Sequence, residues 1–130
     1  MSKIEIKGTD KTPKFVFEPL RGSIKILGRS TMMFPQEHYP TIVKVLEEYA
    51  QDPVENTHLF IDLEYYNTLS AKYLLSILKI ISRINQIPNK EAKIIWYFEE
   101  EDFTIRDDIK LFSKLINHKI HAIEYEMAYA

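Results

Sequence analysis

The first thirty residues alternate. Ile4 and Ile6 stand between Lys3, Glu5 and Lys7; Phe15 and Phe17 flank Val16 just after Pro13; Ile24 and Ile26 are separated by Lys25. Period-two alternation puts one side of a strand in the core and the other in water. This stretch therefore predicts three strands, and Pro19-Leu20-Arg21-Gly22 between the second and third reads as a hairpin turn. Gly28 is expected to end the third strand. The spacing then changes. From Pro35 to about residue 50, Ile42, Val43, Leu46 and Tyr49 recur at helical intervals while Lys44, Glu47 and Glu48 face out, and Asp52-Pro53 stops the helix. His58-Leu59-Phe60-Ile61-Asp62-Leu63-Glu64-Tyr65 is apolar enough at its centre to be an inner strand. A second helix begins in Asn67-Thr68-Leu69-Ser70, carries Leu74, Leu75, Leu78, Ile81 and Ile84 on one stripe, and ends before Pro88. A strand over residues 92–98, a helix over about 105–115 with Ile109, Phe112 and Ile116 along one side, and a short strand over 121–125 complete the chain.

The order is β-β-β-α-β-α-β-α-β. Repeated strand–helix–strand units imply right-handed crossovers and parallel pairing, so the expected fold is a single α/β domain over residues 1–130, with a mixed sheet and helices mainly on one face. Asp62 and Glu64 share a parity opposite to Leu59, Ile61 and Leu63, which places them on the wetter face.

Composition narrows the chemistry. The chain has 130 residues and a net charge of −2, with no cluster of lysines and arginines, which argues against a phosphate-gripping nucleic-acid surface. Without cysteine there is no disulfide framework, thiolate nucleophile or cysteine-ligated metal. The first residues carry no apolar core of a secretion signal, and no run of about 18 apolar residues suggests a membrane span; a cytoplasmic protein is expected. Only three glycines occur, Gly8, Gly22 and Gly28, too scattered for a phosphate loop or a dinucleotide fingerprint. No nucleophile elbow or zinc-protease motif is present. No enzyme activity, cofactor or metal is expected. His118 and His121 fall across a helix end and a strand start, where they point apart, and His38 and His58 stand alone.

Two clusters offer more. Glu99-Glu100-Glu101-Asp102 precedes a helix, where carboxylates meet exposed amides and the positive end of the dipole; the sharper alternative is a cation or partner site shared with Asp62 and Glu64. A receiver domain holds magnesium with such a cluster, but the central strand here ends in Tyr65-Tyr66-Asn67 rather than in a phospho-acceptor aspartate. Trp96, Tyr97 and Phe98 have no basic neighbours to make a base-stacking platform, so they are expected in the core.

Asn67, Thr68 and Ser70 lie at the turn from an inner strand to a helix. All three residue types make good N-caps, and capping alone would account for them. A hydroxyl there also sits at the carboxyl-terminal rim of a parallel sheet, where such folds place their sites. A phosphate added at that point gains the free amides and the helix dipole, and sets roughly −1.5 to −2 charges on the surface beside Glu64.

At this turn the sequence resembles a known family. Thr9-x-x-Thr12-Pro13, Phe15-x-Phe17, Gly28-Arg29-Ser30 followed by Pro35, Phe60 and Leu63 leading into Tyr65-Tyr66-Asn67-Thr68-x-Ser70-Ala71-Lys72, and Trp96-Tyr97-Phe98-Glu99-Glu100-Glu101-Asp102 together are similar to the SiaC-type regulatory phosphoproteins. These are bacterial partner-switching proteins with a STAS-like fold, the fold of anti-sigma factor antagonists. The resemblance implies a signalling module whose hydroxyl after the Asn, Thr68 here, is phosphorylated by a Ser/Thr protein kinase and dephosphorylated by a PP2C-type phosphatase. It implies that the unmodified form of some members binds and activates a diguanylate cyclase, in cyclic-di-GMP signalling. Leu69 stands where a small hydroxyl residue is expected, which leaves Thr68 favoured and Ser70 as the rival. Partner contacts are expected at Glu64, Tyr65, Tyr66, Asn67, Thr68, Ser70 and Lys72. The competing readings are a scaffolding STAS-like domain whose Asn67-Thr68 turn only caps a helix, and a small-molecule site around Tyr65 and Tyr66.

Overall fold

Strands and helices follow each other as the patterning predicts. The structure, a computed structural model, describes residues 1–126. It contains β1 (Ile4–Ile6), β2 (Lys14–Glu18), β3 (Ser23–Ser30), α1 (Tyr39–Gln51), β4 (Asn56–Tyr66), α2 (Thr68–Arg83), β5 (Glu91–Glu99), α3 (Phe103–Ile116) and β6 (His121–Tyr125). Short 3-10 turns at Pro35–Glu37 and Ile84–Gln86 lead into α1 and out of α2. The six strands form one sheet in chain order. β1, β2 and β3 are antiparallel, and β3 through β6 are parallel. Crossovers of one hand that always step the same way across a sheet put all three helices on one face.

That face is the core. Ile24, Ile26, Leu59, Ile61, Ile94 and Trp96 are fully buried against Ile42 and Leu46 of α1, Leu74, Ile77, Leu78 and Ile81 of α2, and Ile109 and Phe112 of α3. The Trp96 ring stacks on Phe112 at 5.6 Å. Trp96 and Phe98 are core residues, as expected, but Tyr97 is not: strand alternation turns it to the opposite face, where it is only half-buried. The α2 stripe is wider than the sequence suggests. Ile77 and Ile80 join it and Leu75 is only half-buried, because α2 is the middle helix and meets both α1 and α3. The opposite face, with Lys25, Leu27, Phe60, Asp62 and Tyr97, is only partly covered.

The hairpin turn before β3 depends on Gly22. Its φ is +63°, and a Cβ there would lie 2.3 Å from the Asn56 carbonyl oxygen. The Gly22 carbonyl accepts from the His58 amide at 2.7 Å, which starts the β3–β4 pairing.

Gly28 does not end β3. The strand continues to Ser30, and the pairing slips by one residue beside Gly28: Gly28 faces Leu63, but Arg29 faces Tyr65 and Ser30 faces Tyr66. β4 thus carries one more residue than β3, with Glu64 the extra one. Such bulges re-aim the side chains beyond them. Without the slip, the in–out alternation of Leu59, Ile61 and Leu63 would bury Tyr65. With it, Tyr65 is exposed and Tyr66 turns inward against Trp96, ring centroids 5.9 Å apart.

Candidate functional site

β4 pairs with β5 only as far as Ile61, which faces Trp96, while β5 continues with β6 to Glu99 and Tyr125. Residues 62–66 therefore follow β3 alone. A split opens between β4 and α3 at the carboxyl-terminal ends of the parallel strands, where α/β folds place crevices. Tyr65, Tyr66, Asp102, Thr104, Ile105 and Asp108 line the resulting cleft, of about 200 Å³. The Tyr66 hydroxyl donates to Asp108 across it. Burial, then the Asp108 carboxylate, holds the Tyr66 phenol well above its usual ionisation range. On the other, open face of the sheet, the Tyr125 hydroxyl donates to Asp62 at 3.1 Å. Partial burial and the Asp62 charge push its pKa up to about 12.

The turn after β4 is built around Asn67. Its backbone N–H donates to the Ser30 carbonyl at 3.0 Å, its side-chain Oδ1 accepts from the Ser70 amide at 2.9 Å, and its Nδ2 donates to the Met32 carbonyl at 3.0 Å. Asn67 is thus the N-cap of α2, and it also ties the loop after β3 to the turn. Thr68, the first helical residue, is exposed and makes no side-chain hydrogen bond among the described residues. Ser70 is fully buried. Its hydroxyl donates to the Ser30 carbonyl at 3.0 Å and accepts from Ser30 Oγ at 2.8 Å; Ser30 Oγ in turn accepts from Tyr39 of α1. Tyr39 is fully buried and stacks on Tyr73 at 5.2 Å. The two candidate hydroxyls therefore occupy opposite environments, Thr68 in water and Ser70 locked in a buried network joining β3, α1 and α2. Ser30 and Tyr39 carry no signal of this in the sequence, because they lie 40 and 31 residues from Ser70.

The remaining candidates gather around Thr68. Glu64 is exposed and 3.5 Å from Arg29. Lys72, one turn along α2 from Thr68, is exposed and in no ion pair among the described residues. In the acidic turn, Asp102 caps α3 by accepting from the Ile105 amide at 3.0 Å, while Glu100 and Glu101 are exposed. Asp62 accepts from the Tyr125 hydroxyl, which also lies in the field of Glu99 and Glu64. Among the described residues no group of three or more His, Asp or Glu is placed to hold a metal ion. His118 is engaged by Asn85 at 2.9 Å and by the Lys119 carbonyl. No helix among them is long and apolar enough to cross a membrane.

Fold and site together define a small α/β module that displays one strand-to-helix turn at the carboxyl-terminal edge of its parallel strands. Over residues 6–125 the chain matches the model of the family described as SiaC family regulatory phosphoprotein, and it belongs to that family. It is accordingly a regulatory protein rather than an enzyme. Its fold is that of apo-SiaC from Pseudomonas aeruginosa, with a TM-score of 0.80 at 20% identity over 95% of this chain and 98% of the other. It is equally that of a chain in the crystal structure of diguanylate cyclase SiaD in complex with its activator SiaC from the same organism, with a TM-score of 0.81 at 18% identity over 95% and 99%. No curated protein matches the sequence.

Proposed function

We propose that this chain is a single STAS-like partner-switching module of the cytoplasm. Its unmodified form binds and activates an effector of the diguanylate cyclase class, and phosphorylation of Thr68 releases that effector. A Ser/Thr protein kinase adds the phosphate and a PP2C-type phosphatase removes it. The observation that carries the reading is the contrast between Thr68 and Ser70. A kinase needs its acceptor hydroxyl free and reachable, which Thr68 is, whereas Ser70 is spent on two buried hydrogen bonds. Capping does not account for Thr68, because Asn67 performs it. The choice of effector is supported by the SiaC relative that was solved as the activator of a diguanylate cyclase. Glu64, Tyr65, Tyr66, Asn67, Thr68 and Lys72 would contribute to the partner surface; Ser70 would act from beneath it by holding the turn.

The test is phosphosite mapping after incubation with the kinase of the same genome and ATP, followed by effector titration. One phosphate on Thr68, absent from Thr68→Ala, is expected. Burying an unpaired dianion in an interface costs several kcal/mol, about a hundredfold or more in affinity. Phosphate on Ser70 with Thr68 untouched would refute the site. No phosphate in the turn would leave the scaffolding reading in its place.

A further inference from the structure

The strands β3, β4 and β5 lie side by side and parallel. The segments that follow them therefore emerge at one edge in the order loop 31–34, turn 67–70, turn 99–102. Thr68 stands in the middle. The two flanks differ in kind. On the β3 side Met33 is 74% and Phe34 53% exposed, and Leu69 in the turn itself is 48% exposed. Asn67 ties Met32, the residue before Met33, to the turn that carries Leu69. Single exposed apolar residues are ordinary, but three large ones on two neighbouring segments that a side-chain hydrogen bond joins are candidates for a contact surface. On the β5 side Glu100 and Glu101 are exposed and in no ion pair among the described residues, and Asp108 closes the aromatic cleft. Arg106, on α3, is engaged with Asp107 at 3.4 Å and stacked over Phe103.

We propose that Thr68 lies on the seam of a two-sided docking surface, apolar at Met33, Phe34 and Leu69 and acidic at Glu100, Glu101 and Asp108, whose occupant is an effector surface that sets an apolar ridge beside lysine or arginine side chains. The charge of the acidic flank selects a basic strip, and the apolar flank supplies the area that is desolvated on binding. This rests on the switch reading above and names the chemistry its partner must present. It also explains why a phosphate at Thr68 blocks docking: the group arrives where the apolar contact closes, in a place no water can follow.

The test titrates the unphosphorylated protein with the purified diguanylate cyclase of the same organism at about 50 and about 300 mM salt, conditions that separate screened from unscreened contacts. Phe34→Ala and Leu69→Ala should each weaken binding by about tenfold or more with the salt dependence unchanged. The double variant Glu100→Gln/Glu101→Gln should weaken it several-fold at low salt and converge on wild type at high salt. Leu20→Ala, in the β2–β3 turn at the far end of the sheet, should have no effect. All are surface positions, and thermal midpoints check that the fold is kept. If these variants bind within twofold of wild type while Thr68→Asp abolishes binding, the docking surface is wrong and the switch stands. If the wild type binds no such cyclase, the switch reading and the surface fall together.

Discussion

The Ser70 hydroxyl donates to one buried oxygen and accepts from another, whereas the Thr68 hydroxyl, two residues earlier, touches only solvent. Removing one member of a buried pair leaves its partner desolvated and unmatched, at a cost of about 1–3 kcal/mol. Ser70→Ala should therefore destabilise the protein by that amount, and Thr68→Ala should stay within about 0.5 kcal/mol of wild type. Urea midpoints at constant slope would read the difference. Three tyrosines are shifted upward, Tyr39 by burial and Tyr66 and Tyr125 by burial with a carboxylate beside each, and they predict a pH dependence. An unfolded tyrosine ionises near pH 10, while burial, Asp108 and Asp62 keep Tyr66 and Tyr125 protonated above that. Their folded pKa values are raised, so their contribution is complete below about pH 10 and is lost as pH rises toward about 12, where the unfolded chain sheds protons that the native state still holds. Stability should fall across that window. Tyr66→Phe should flatten the fall, and absorbance titration of the native protein should show three late-ionising phenols, Tyr39, Tyr66 and Tyr125.

Among the elements, the β4–turn–α2 unit holds the most side-chain hydrogen bonds of the site. Asn67 is cap and clamp at once. Asn67→Ala should cost roughly 0.5–2 kcal/mol through the cap alone, and it should also speed amide exchange in residues 31–34, which lose their tie at the Met32 carbonyl. The sequence announced the unit, because a short run of Asn, Thr and Ser between an apolar strand and an apolar stripe has few other uses. It announced the strand faces too, since parity is local: Asp62 and Glu64 lie on the wetter side as their alternation implies. What stayed hidden was relational. The bulge is a count of two residues on β4 against one on β3, and no single strand shows it. Tyr66 therefore reads as outward-facing in the sequence and turns inward in the fold. The burial of Ser70 depends on Ser30 and Tyr39, which only the packing of β3, α1 and α2 brings near. The apolar loop at Met33 and Phe34 leaves no signal in the sequence, because two exposed residues in a loop have no period.

For the whole molecule, folding and docking should respond differently to charge at Thr68. A negative group on the first residue of a helix is neutral or stabilising by about 0.3–1 kcal/mol, so the phosphorylated protein should melt at or slightly above the wild-type midpoint while its affinity for the effector drops. A midpoint that collapses together with binding would mean that release works by unfolding. The sheet has one further property. Its strands stand in space in the order in which they stand in the chain. On the ribosome each new strand therefore meets a neighbour that has already been made, and no strand must later be threaded between two others. The exception is the split beside β4. Tyr66 and Asp62 leave the exit tunnel well before their partners Asp108 and Tyr125. The edge that carries Thr68 is consequently completed late in synthesis, and a nascent chain stalled before α3 would hold at most β1 to β5, with β6 absent and the switch edge unfinished.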